Sequence, residues 1–150
     1  RVALDLAGTV PLAETLWYDL ARWPGWVDGF AAVARREGDW PAEGSTVVWD
    51  SRPGGRGRVL ERSVRHAPGS GQTVQVEDEQ LRGTQEVSFA ALADGVEVAL
   101  ELTYELKSGG PLRQVVDLLF IRRALGDSLR RTLVRFGNEL AADGEEQPIL

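Results

Sequence analysis

The sequence contains no cysteine and a single histidine, His66. Without cysteine there is no disulfide framework, no thiolate nucleophile and no sulfur ligand for a metal. One histidine excludes any metal site built on two or more of them, so neither a metal nor a cofactor is expected. No apolar run reaches the ~18 residues of a membrane span, and no secretory leader is visible. The first residue is Arg1 rather than Met, which leaves room for a leader cut off upstream; cytoplasm is the default compartment. Positive charge is also scarce. Seventeen Lys and Arg stand against 23 Asp and Glu, a net charge of −6, which disfavours nucleic acid because phosphate neutralisation needs a basic field.

What is present is enough for one domain with a real core: 150 residues, 43% hydrophobic and 27% charged, a globular rather than disordered balance. Aromatic rings are concentrated near the start. The stretch LWYDLARWPGWVDGF holds Trp17, Tyr18, Trp23 and Trp26.

Periodicity divides the chain. RVALDL alternates like a half-buried strand. In VPLAETLWYDLARW, Leu12, Leu16, Leu20 and Trp23 share a helical face, Pro11 suits a first turn, and Pro24 ends the helix near Arg22. PGWVDG is then a short second helix or turn. Six strand candidates follow: FAAVARRE, STVVWDSR, GRVLERSVRHA, QTVQVED, LRGTQEVSFAAL and GVEVALELTYELK, separated by GDWPAEG, PGGR, PGSG and ADG. From Leu112 to about Ala142 one long helix is predicted, with an apolar stripe through Leu118, Leu125, Leu129, Leu133, Phe136 and Leu140. DGEEQPIL, residues 143–150, reads as a frayed tail. A one-faced antiparallel sheet and a one-striped helix bury each other by packing together.

VPLAETLWYDLARWPGW, LRGTQEVSFAALADGVEVALELTYEL and KSGGPLRQVVDLLFIRRALGDSLRRTLVRFGNEL, in that order, resemble the opening helix, final hairpin and C-terminal helix of the START-related superfamily (SRPBCC, birch-pollen-allergen-like proteins). Within it, the polyketide cyclase/dehydrase and lipid-transport group is most similar. The resemblance implies a single α+β domain of helix-grip fold: a seven-stranded antiparallel sheet curled around a long C-terminal helix, with two short helices after strand 1. It also implies an apolar cavity and a hydrophobic small-molecule ligand, but no particular reaction. Trp17, Trp23 and Trp26 are expected to fill the corner where the short helices close the cavity, with Trp26 either core or mouth.

Polar residues on apolar faces are the candidates for chemistry. Leu60 and Val64 would put Arg62 and His66 on the cavity face, with Asp78, in phase with Val74 and Val76, as the partner of Arg62. Val59 takes the opposite parity, however, and a bulge would swap the faces. Tyr104 lies between Leu102 and Leu106, Gln85 shares a face with Val87 and Phe89, and Trp49 is in phase with Val47. Arg62, His66 and Tyr104 are the catalytic candidates, each with a competing reading as a surface or rim residue. On the long helix, Arg122 falls on the stripe four residues before Gly126. A helix-interior glycine costs about 1 kcal/mol against alanine, so both are expected at the cavity beside Leu129, or Arg122 snorkels past the sheet edge.

RPGGRGR lacks the lysine and following helix of a phosphate loop and reads as a hairpin turn. Trp40, in EGDWPAEGS, is either a gate over the cavity or a plain anchor. Residues 112–142 carry six arginines against three acids. That excess suits a solvated helix back or a transient membrane-surface contact, and the apolar LLFI at 118–121 leaves monomer and homodimer open. Three functions follow. The first is a carrier or binder of a lipid, isoprenoid or aromatic polyketide. The second is an aromatase/cyclase using Arg, Tyr or His in the cavity. The third is an interaction module with a vestigial pocket, which predicts a volume well below the ~300 Å³ usual for ligands.

Overall fold

Among the described residues there are seven strands and three α-helices: β1 (Val2–Leu6), α1 (Val10–Tyr18), a 3₁₀ turn (Leu20–Arg22), α2 (Trp23–Trp26), β2 (Phe30–Glu37), β3 (Thr46–Ser51), β4 (Arg58–Ala67), β5 (Gly71–Glu77), β6 (Leu81–Leu92), β7 (Gly95–Leu106) and α3 (Pro111–Glu146). The computed structural model describes residues 1–107 and 111–146, with the side chains of 111–120 and 146 outside the description. The strands form one antiparallel sheet in the order β1-β7-β6-β5-β4-β3-β2. This is the helix-grip arrangement.

Two boundaries differ from the sequence expectation. The first helix stops at Tyr18 rather than Arg22, because Asp19 turns to extended geometry and its carboxylate accepts from the Ala21 amide at 3.1 Å. This local side-chain bond outcompetes another helical turn. At the other end α3 continues to Glu146, so residues 143–146 are helical, and residues 147–150 of the expected tail lie outside the described residues. Asp143 explains part of this: it accepts from Arg22 at 2.9 Å, beside an Arg22–Glu139 contact of 2.8 Å. Leu118 and most of LLFI lie outside the described side chains.

The inner face of the sheet is set by strand alternation. Val47 and Trp49 of β3, Val59 of β4, Val74 and Val76 of β5, Val87 and Phe89 of β6, and Val96, Val98 and Leu100 of β7 are all buried. Against one half of this face lies the C-terminal part of α3, with Leu133, Phe136 and Leu140 fully buried together with Ala13 and Leu16 of α1. Gly137 permits the closest approach: a Cβ there would come within 2.7 Å of the Leu6 side chain. Asp28, just beyond α2, anchors the middle of α3. Its carboxylate accepts from Ser128 (2.7 Å) and Arg131 (3.0 and 3.1 Å), while its amide donates to Thr132 Oγ1 at 3.0 Å. Arg135 adds a contact at 3.6 Å, so part of the basic helix back pairs with the acidic body.

Candidate functional site

Where α3 passes Leu129, the helix no longer fills the space above the sheet. A cavity remains between Trp49, Glu61, Val76 and Leu100 of the sheet, Ser128, Leu129 and Thr132 of α3, and the indoles of Trp17, Trp23, Trp26 and Trp40. The space open to the centre of a water molecule is about 60 Å³. At roughly 10–15 Å³ per water on that measure, it holds a handful of waters.

The indoles form one connected wall. Trp17 and Trp26 lie 4.6 Å apart, Trp26 and Trp23 meet edge-on at 6.1 Å, and Trp23 and Trp40 meet edge-on at 6.0 Å. Trp23 Nε1 donates to the Trp17 carbonyl at 2.9 Å, which fixes α2 against α1. Trp40 comes from the loop between β2 and β3. Ser63 Oγ donates to the Pro41 carbonyl at 2.8 Å, and Gln72 Nε2 donates to the same carbonyl at 3.4 Å and to Ser63 Oγ at 3.2 Å. That loop is therefore tied to the inner face of β4 and β5.

Glu61 is the chemically unusual residue. It stands opposite Val47 and Val76 on the inner face and is 9% exposed. Trp49 Nε1 donates to its Oε2 at 2.6 Å. Burial raises its carboxyl above the usual range, outweighing the Trp49 hydrogen bond and the nearby Arg56 guanidinium, both of which favour the ionised form. Arg56 reaches in from the hairpin loop between β3 and β4, its guanidinium 6.0 Å from the Trp49 ring centre, and donates from Nε to Asp78 Oδ2 at 2.8 Å. Asp78, 5% exposed, also accepts from the amides of Gln80 and Leu81 at 2.8 and 2.9 Å. These bonds hold it rigid and satisfy a charge that would otherwise be costly to bury. Trp26 Nε1, Trp40 Nε1 and Arg56 Nη2 are shut off from water and have no partner among the described residues.

Of the residues singled out in the sequence, Trp26, Trp49, Gln85, Val87 and Leu129 line this cavity. Trp26 is 1% exposed, hence wall and not mouth. Asp78 stands one residue back and grips Arg56, not Arg62. Phe89 is buried beyond the cavity against Trp17 and Tyr18. Leu102 and Tyr104 continue the inner face half-buried past the cavity, and Tyr104 Oη is buried without a partner among the described residues. Four further candidates fall outside the cavity lining. Arg62 is exposed on the outer face, because Val59, Glu61 and Ser63 face inward. The register shifts between Ser63 and Arg65, which splits His66 from Arg62 and returns it to the inner side opposite Gln72, where it packs edge-on against Tyr18 at 5.1 Å. Arg122 is exposed on α3. Gly126 is half-buried with nothing within 4 Å of where its Cβ would stand, so no strand approaches it.

Sequence reasoning missed Glu61 and Arg56. Glu61 was signalled only by its parity with Val59. Arg56 sits in the Gly-rich hairpin loop, which is indeed a turn and not a phosphate loop. Among the described residues no cluster of three or more His, Asp or Glu is placed to hold a metal, and no helix is long and apolar enough to cross a membrane.

The family model described as polyketide cyclase/dehydrase and lipid transport matches residues 12–141. The chain belongs to that family. Its fold recurs in a protein from Thermus thermophilus (TM-score 0.75, 18% identity, covering 95% of this chain and 96% of that one). It recurs in a START superfamily protein from Mycobacterium smegmatis (TM-score 0.67, 13% identity, 94% and 95%). The di-domain ARO/CYC of the steffimycin biosynthetic pathway is similar as well (TM-score 0.69, 18% identity), with 96% of this chain covering 51% of that one. At these identities the likeness shows the fold. A search of curated proteins finds no significant match.

Proposed function

We propose that this family member binds a hydrophobic small molecule of lipid, isoprenoid or aromatic polyketide type in the cavity between the sheet and α3. The observation that carries this is the indole wall. Five tryptophans converge on one hollow that also contains a buried carboxyl and a guanidinium, where a protein serving only stability would fill the space with aliphatic side chains. The volume of about 60 Å³ is what the vestigial-module alternative predicts, so binding requires the wall to open. A pocket that never opens is the vestigial-module alternative. Native mass spectrometry of protein purified from its host tests the two. A co-purified small molecule lost on Leu129→Trp substitution is expected, whereas a bare chain that also takes up no fluorescent apolar probe overturns the binding function.

Glu61 favours a second reading, an aromatase/cyclase. A carboxyl raised toward neutrality by burial is suited to move protons during ring closure, and the Arg56 guanidinium beside it is suited to an enolate oxygen. Arg62 and Arg122 take no part in either reading, and His66 and Tyr104 stand off the cavity. Ring formation from a linear poly-β-ketone by the wild-type protein but not by Glu61→Gln is the expected result for a cyclase. Equal conversion by the two proteins eliminates Glu61 as the proton carrier.

A further inference from the structure

We propose that Trp26, Trp40 and Arg56 form an acceptor-binding subsite, which selects a neutral, flat ligand by an oxygen of carbonyl type. This rests on the reading that the cavity takes a ligand. The residues that line the cavity contribute three buried polar atoms without partners, and all three are N–H groups: two indole Nε1 atoms and one guanidinium Nη2. The other unpartnered buried groups among the described residues are hydroxyls of Tyr18, Ser51 and Tyr104, none of them on the cavity wall. Indole and guanidinium nitrogens donate and cannot accept, so what is missing at this wall is an acceptor. No described residue supplies it.

Charge and shape narrow the class. Arg56 already has its counter-charge in Asp78 at 2.8 Å, and Glu61 stands on the same cavity. An anionic ligand would add a further negative charge beside two carboxyl groups, so a neutral acceptor fits better. Indole faces on several sides favour a planar ring system. A three-ring ligand exceeds the volume of about 60 Å³, so the wall must open to admit it; Trp40 is the one tryptophan of the wall carried by a loop.

The test is calorimetric titration of the full chain with 9-fluorenone and with fluorene, which share a three-ring frame and differ in the ketone oxygen. Fluorenone is expected to bind at least about ten-fold more tightly. Trp40→Phe keeps the ring and removes the donor. It should erase several-fold of that preference, read as the ratio of the fluorenone and fluorene affinities within the same variant. Arg56→Lys keeps the charge opposite Asp78 and should act in the same direction, which covers the case where one variant fails to fold. Equal affinities for the two probes, or a preference unchanged in both variants, overturns the subsite while leaving ligand binding intact. Tighter binding of fluorene-9-carboxylate than of fluorenone overturns the neutral-ligand assignment. Failure of all three probes to bind overturns the subsite, while the binding reading is decided separately by the native mass spectrometry described above.

Discussion

Gly137 and Gly126 lie about three turns apart on α3 and meet opposite surroundings. A Cβ on Gly137 would press into Leu6 at 2.7 Å, whereas a Cβ on Gly126 would meet nothing within 4 Å. The difference runs through the whole molecule. From Leu133 onward α3 is locked to β1, α1 and α2 by fully buried Leu133, Phe136 and Leu140. Its preceding turns face the hollow lined by Leu129, Trp49 and Glu61. One helix therefore has a packed end that secures the fold and, around Ser128, Leu129 and Thr132, a stretch that faces a cavity. A core filled evenly along the helix would be more stable and would have nowhere to bind.

The contrast is most strongly tested by truncation. Phe136 packs edge-on against both Trp17 and Trp26 at 5.1 Å, so Phe136→Ala is expected to cost about 3–5 kcal/mol in urea unfolding. Leu129→Ala, half-buried at the hollow, should cost less than half as much. Equal losses would mean that the two ends are packed alike.

Two carboxyl groups sharpen the same comparison by pH. Asp28 is penalised by burial, but hydrogen bonds from Arg131 and Ser128 and the charges of Arg131 and Arg135 hold it below the usual range. Its stabilisation is present above the unfolded value and is lost as pH falls through the folded one. Glu61 is shifted the other way, so its environment is best tolerated below the unfolded value and stability is lost as pH rises through the folded one. In urea unfolding, Asp28→Asn is expected to weaken the protein by about 1–2 kcal/mol near pH 7 and the difference should shrink as pH falls through the lowered folded-state value of Asp28. Glu61→Gln should match the wild type near pH 4 and exceed it near pH 8. Parallel pH profiles for the two variants would contradict the opposite shifts.

The smallest effects are expected at the glycines. Gly126→Ala should stabilise by up to about 1 kcal/mol, since the helix gains and nothing is struck. Gly137→Ala should gain less or lose, because Leu6 must move. Thermal unfolding of the two variants side by side is sufficient, and a larger gain at Gly137 would reverse the assignment of packed and hollow ends.

The sheet was legible because each strand carries its own record of burial. Val96, Val98 and Leu100 alternate with Glu97, the small Ala99 and Glu101, and such a pattern survives in one dimension. The α1 boundary was not legible: Pro24 marks a stop, but the Asp19 carboxylate bonding to the Ala21 amide ends the helix a turn earlier. β4 was ambiguous for a physical reason. Leu60 and Val64 on one parity and Val59 on the other are both consistent with a strand, and the shift between Ser63 and Arg65 lets parts of each parity turn inward. His66 followed that shift to the inner side, and Arg62 did not.

The order of strands and helices, the apolar faces and the clustering of tryptophans near the start were written in the sequence, because local periodicity and ring content need no knowledge of what lies opposite. The chemistry of the hollow was decided only by the tertiary structure. Glu61 becomes a buried carboxyl when β3 and β5 close on either side of β4. Arg56, a loop residue between glycines, becomes part of the wall because the turn after β5 places Asp78 where it can hold the guanidinium. Contacts between side chains far apart in sequence set the solvation and charge of these groups, and no local pattern encodes them.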